Sequence, residues 1–214
     1  QRIEQTPGIE TSVREVTAYS TLGYFDDPIL PNLLRAPPLR LLEVLFHELA
    51  HSTVWLNGSV RFNESFASFV GEQLTIDFLE WAGRSNLAAH YRTLLDDREH
   101  FATLMLQVTK EAEEIYSSPR SRASKLHAKK ALLASLARRV DESRIARKEV
   151  YIRYLGRSTW NNAALIRFRA YNELKPHFRS LYEQHDGELS AFIAAVSAFA
   201  SEDDFMAHFG RGSN

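Results

Sequence analysis

Residues 47–51, HELAH, set two imidazoles four positions apart with a carboxylate between them. On a helix that spacing puts His47 and His51 on one face, where both reach a single divalent ion, while Glu48 projects toward a water beside it. The chemistry such a set performs is hydrolysis: a zinc ion acidifies water and polarises a carbonyl, and the glutamate moves the proton. In a chain holding 8 His the pattern arises by chance with a frequency of roughly one in forty. The competing reading is two satisfied histidines on a buried helix, so the surroundings must decide.

Pro37 and Pro38 open a helix that the pattern carries to about Leu56, where Asn57-Gly58 supplies a stop. Leu41, Leu42, Leu45, Leu49 and Leu56 share one side, which reads as core. His47 and His51 lie roughly opposite, among Val44, Val54 and Trp55. Titratable groups on a helix that is apolar on both faces need a partner. Val54 and Asn57 stand where a metzincin extension would need Gly and His, and a deformylase-type site would need a cysteine, which is absent. Glu64 follows, with twelve residues between it and His51, at the start of the next helix in RFNESFASFVGEQL. A helix returning antiparallel from the Asn57-Gly58 turn brings Glu64 opposite His51. Ala67, Ser68 and Gly71 allow the two helices to approach closely. His47, His51 and Glu64 thus read as a His₂Glu set for one Zn²⁺, with a fourth position open to water.

HELAH followed by FNESFASF resembles the gluzincin metallopeptidases, in particular the zinc aminopeptidases whose third ligand lies in a WLNEGFA-like motif. The spacer here is shorter than theirs, and their GxMEN signature is absent. AYSTLGYFDDPIL, FHELAHSTVWLNG, FNESFASFVG, the long helical hairpin and WNNAALIRFRAY together are similar to the bacterial "putative aminopeptidase" family over most of the chain. The resemblance implies a zinc-dependent peptidase acting on peptides, with Glu48 as general base. It also implies a donor for the oxyanion, for which Tyr171 is the first candidate and Tyr151 and Tyr154 the next. Asn161 and Asn162 are candidates to bind substrate backbone or simply to cap a helix. Tyr24, with the segment from Tyr19, offers an extended edge for a peptide. Members often carry an upstream segment with a lipoprotein-type signal, so a lipid anchor before Gln1 and a place in the bacterial cell envelope or periplasm are expected. The alternative is a non-catalytic helical interaction module with a structural or vestigial metal site.

The elements that must hold this site are helical almost throughout. The expected fold is mainly α, a multi-helix zincin-like domain spanning 1–214. Residues 1–38 form an extended or loop edge, with a strand expected over 13–22. Residues 39–82 hold the metal-site helices, 87–155 a long antiparallel helical hairpin, and 159–209 the C-terminal helices. The hairpin's second arm is basic and its first acidic, which reads as charge pairing between arms rather than a nucleic-acid surface. Hydrophobic content of 44% and charge of 25% are globular values, and a net charge of −1 gives no pull toward nucleic acid or anionic membrane. With no cysteine, disulfides, thiolate zinc sites and cysteine nucleophiles are excluded. No apolar run is long enough to span a membrane.

Overall fold

We describe residues 10–12 and 30–210 of the computed structural model. Among them the chain is mainly α-helical with no strand, in agreement with the sequence. The strand expected over 13–22 lies outside the described residues. In chain order the helices are α1 (Pro31–Leu34), α2 (Pro38–His51), α3 (Val60–Trp81), α4 (Ser85–Ser117), α5 (Arg122–Ala134) and α6 (Leu136–Asp141). They continue with α7 (Lys148–Arg157), α8 (Asn162–Asn172), α9 (Lys175–Gln184), α10 (Leu189–Ser197) and α11 (Glu202–Gly210). No helix among the described residues is long and apolar enough to cross a membrane. The chain divides into two compact units, 15–91 with 170–214 and 1–14 with 92–169.

The first unit is built around α3. Turned at 100° per residue, α3 places Phe62, Phe66 and Phe69 on one side and Glu64, Ala67, Ser68 and Gly71 on the other. The phenylalanine side packs into an aromatic core with Phe178 of α9, Phe192 of α10 and Phe205 of α11. Ring centroids lie 5.2 Å apart for Phe62–Phe178 and 4.6 Å for Phe178–Phe205, normal spacings for packed aromatic pairs. Ion pairs from Lys175 to Glu72 (2.6 Å) and from Arg61 to Glu173 (2.7 Å) and Glu202 tie α3 to the C-terminal segments.

The small-residue side of α3 takes α2. A Cβ on Gly71 would sit 3.0 Å from the backbone oxygen of Glu43 and 3.0 Å from the backbone nitrogen of His47. No side chain fits there without moving a helix. This overturns the assignment of the α2 core face. Val44, Ala50 and His51 are buried, whereas Leu49 is 59% exposed and Leu41, Leu42 and Leu45 are only partly covered. The face that packs on α3 is the histidine face, because small residues there permit backbone approach that leucines would block.

Helix α2 also ends five residues earlier than its pattern suggested. The hydroxyls of Ser52 and Thr53 donate to the carbonyls of Leu49 and Ala50 (2.7 Å each), closing the last turn at His51. The chain then turns through Gly58, whose φ of +79° suits glycine.

The second unit packs Phe101, Met105, Val108 and Ala112 of α4 against Leu132, Leu136, Val140, Ile145, Leu155 and Leu165. Contacts at Tyr116–Lys125, Glu111–Arg139 and Asp97–Arg147 run in opposite chain directions, as an antiparallel return requires. The expected single return arm is three helices. The buried Asp97 carboxylate accepts the backbone N–H groups of Ala146 and Arg147 and the Arg147 guanidinium (2.8 Å), which halts the chain before α7. Pairs at Arg139–Glu111 and Arg147–Asp97 show the basic arm meeting acidic partners, and Arg169 of α8 pairs with Glu113 of the same acidic arm.

Candidate metal centre

His47 and His51 stand on adjacent turns of α2, and Glu64 faces them from the first turns of α3. One Glu64 oxygen, Oε2, lies 3.3 Å from His47 Nε2 and 3.9 Å from His51 Nε2. All three candidate ligand atoms lie within 4.8 Å of one another. Ligands held tetrahedrally at zinc-like bond lengths are about 3.3 Å apart, so this cluster needs little adjustment to close on an ion. One buried atom supports that fit: Glu64 Oε2 has no hydrogen-bond partner within the protein. A carboxylate oxygen aimed between two imidazoles without a bond of its own calls for a cation. Side-chain exposure is 8% at His51, 16% at His47 and 20% at Glu64, so all three are largely shielded from solvent.

Burial pushes the His51 imidazole down to about 4, helped by neighbouring His47 and opposed by the Glu64 charge. It is therefore neutral near pH 7, the form that ligates metal. Burial raises Glu64, but the His47 and His51 imidazoles and the Tyr171 hydroxyl outweigh it and hold the carboxyl below its usual range. Both groups stand ready in their ligating states.

Three consecutive residues of the NES triplet divide the work of building this site. Buried Asn63 pairs both backbone groups of Leu56, its Nδ2 donating to the carbonyl and its Oδ1 accepting the N–H, at 2.8 Å each. That double bond fixes the turn between α2 and α3, and with it the register that puts Glu64 opposite His51. Glu64 supplies the candidate ligand. Fully buried Ser65 donates to the Ala170 carbonyl (2.8 Å) and accepts from Leu174 N–H (3.4 Å). It thereby pins the chain on either side of Tyr171, whose hydroxyl hydrogen-bonds Glu64. The Tyr171 ring stacks on His47 with centroids 5.9 Å apart and planes 12° from parallel. Sequence reasoning did not find Asn63 or Ser65. The available signal was polar side chains set among Phe62, Phe66 and Phe69, which must find partners when buried.

The other sequence-derived candidates fall elsewhere. Glu48 is partly buried on α2, beside the ligating face. Asn161 and Asn162 belong to the second unit. Asn161 caps α8 through its Oδ1, which accepts Ala164 N–H (2.9 Å), and its amide donates to Thr11 O (2.8 Å). Asn162 N–H binds the Glu10 carboxylate, which also pairs with buried Lys129, and its amide donates to Tyr116 Oη. Both residues thus tie residues 10–12 to α8 and its neighbours. Tyr151 and Tyr154 pack on Phe101 in the second unit. Tyr24 lies outside the described residues. Among the described residues, His47, His51 and Glu64 are the group whose atoms converge as a metal site requires.

Two antiparallel helices presenting two imidazoles and a carboxylate to one point define a candidate metal centre on an α-helical scaffold. The chain belongs to the family described as putative aminopeptidase, whose family model matches residues 2–207 and so takes in every residue of the cluster. That membership supports peptidase activity. No curated protein and no solved structure matches the chain.

Proposed function

We propose that the protein is a zinc-dependent metallopeptidase of the gluzincin type, acting as an aminopeptidase. The observation that carries this reading is the convergence of His47, His51 and Glu64 on one point, in a chain of a peptidase family. Three ligands, rather than the four of a structural site, leave a position for reaction. Bound there, zinc supplies Lewis acidity toward a peptide carbonyl and toward water.

The chain's own residues do the rest. Glu48, next to His47 on the same helix, takes the proton of the attacking water and delivers it to the departing amine. Tyr171, whose hydroxyl otherwise bonds Glu64, offers that O–H as a hydrogen-bond donor to the oxyanion that develops on the carbonyl. Glu64 and the two histidines orient and hold charge, with Ser68 Oγ at 3.5 Å from the second ring nitrogen of His47 to steady that imidazole.

The test separates ligation from catalysis. Glu48→Gln is expected to retain one equivalent of zinc and to lose peptide hydrolysis by at least roughly a hundredfold, the scale of general-base catalysis. Full hydrolysis in that variant would remove Glu48 from the mechanism. A second reading, a non-catalytic helical module, would be supported instead by zinc binding without cleavage of any peptide in the wild-type protein.

A further inference from the structure

The aromatic contacts at the site form a row. Tyr171 stacks on His47, His47 meets His51 edge-on (4.8 Å), and His51 meets the Trp55 ring edge-on (5.5 Å). The two imidazoles are bracketed by rings, but the ends differ. Tyr171 carries a hydroxyl turned to Glu64, whereas Trp55 carries an indole that is 44% exposed. Among the large apolar side chains that the described residues expose, Trp55 is the one in ring contact with a member of the cluster.

Its exposure does not come from a loose segment. Val54 on one side is buried, and Leu56 on the other has both backbone groups held by Asn63. Thr53 is bonded back to Ala50. The indole is therefore a fixed apolar platform beside His51, offering on the order of 100 Å² of uncovered surface. A rigid aromatic held open against a reactive centre binds a partner with little ordering cost.

We propose that Trp55 is a specificity-determining residue: its exposed face receives an apolar side chain of the peptide next to the scissile bond, so the substrates are peptides with a bulky aliphatic or aromatic residue there. This rests on the peptidase reading above, and its test separates the two. The probes are hydroxamates of leucine, phenylalanine and glycine, which chelate zinc and differ only in the side chain they present, applied to the zinc-loaded protein. Wild type is expected to bind the leucine and phenylalanine compounds at least roughly tenfold more tightly than the glycine compound, the discrimination that a few apolar groups supply. In Trp55→Ala that ratio falls to within about twofold, while zinc stoichiometry stays at one. Trp55→Phe restores most of the ratio. A wild-type protein without side-chain preference, or a Trp55→Ala variant that keeps it, overturns the proposal. Preference with no peptide cleavage would sink the peptidase reading and leave the subsite standing. Cleavage without preference would do the reverse.

Discussion

At Gly71 and His51 a single small change reaches both the fold and the candidate metal cluster. A methyl group on Gly71 meets two backbone atoms of α2 at 3.0 Å, one of them the nitrogen of His47. Gly71→Ala is therefore expected to destabilise by roughly 1–3 kcal/mol through overpacking. It should also weaken the proposed zinc binding, because one displaced atom belongs to His47, a candidate ligand. Chemical denaturation and zinc titration of the same variant check both parts. His51 gives a pH signature in the zinc-free protein. Its folded pKa is pushed down to about 4, against about 6.5 for the unfolded chain. Above the unfolded value neither state is protonated and nothing is lost. As pH falls from about 6.5 to about 4, the unfolded chain takes up a proton that the folded chain refuses, so stability falls by on the order of 3 kcal/mol and then levels. Denaturation midpoints across that range should show the loss in wild type and a smaller one in His51→Gln.

At the scale of elements, two side chains set the geometry. Asn63 holds the α2–α3 turn with two bonds to Leu56, and both are lost in Asn63→Ala. The expected cost is roughly 2–4 kcal/mol, with a weakened zinc site because Glu64 is the next residue. Asp97 acts similarly before α7. Asp97→Asn replaces an acceptor of three donors with a group that itself donates, at a cost of roughly 2–3 kcal/mol. Thermal unfolding of each variant measures the loss. The contrast between these elements explains what the sequence revealed. His47, His51 and Glu64 were legible because their contact is local, a helix, a short turn and the next helix's first turns. The buried face of α2 was not, because that helix is apolar on two sides and only its partner decides which side is covered. Leucines marked one face, while Ala50 and the small residues of α3 selected the other. The break before α7 was illegible for a similar reason: it depends on a carboxylate from α4, far along the chain.

For the whole molecule, the mainly helical class followed from periodicity, whereas the division into two units did not. The two boundaries within the described residues fall inside continuous helices, α4 after Tyr91 and α8 after Arg169, so no linker composition marks them. The candidate metal cluster with Tyr171 lies within one unit, and its supports, Asn63, Ser65 and Gly71, lie there too. In the proposed function, zinc held by His47, His51 and Glu64 is what makes the protein cleave peptides. Chelating the protein and titrating zinc back while following peptide hydrolysis tests it most directly. Hydrolysis is expected to rise linearly and saturate at one equivalent, and Glu64→Gln to require at least roughly tenfold more zinc to reach any activity. Undiminished hydrolysis in the zinc-free protein, or a Glu64→Gln titration that overlays the wild type, would contradict it.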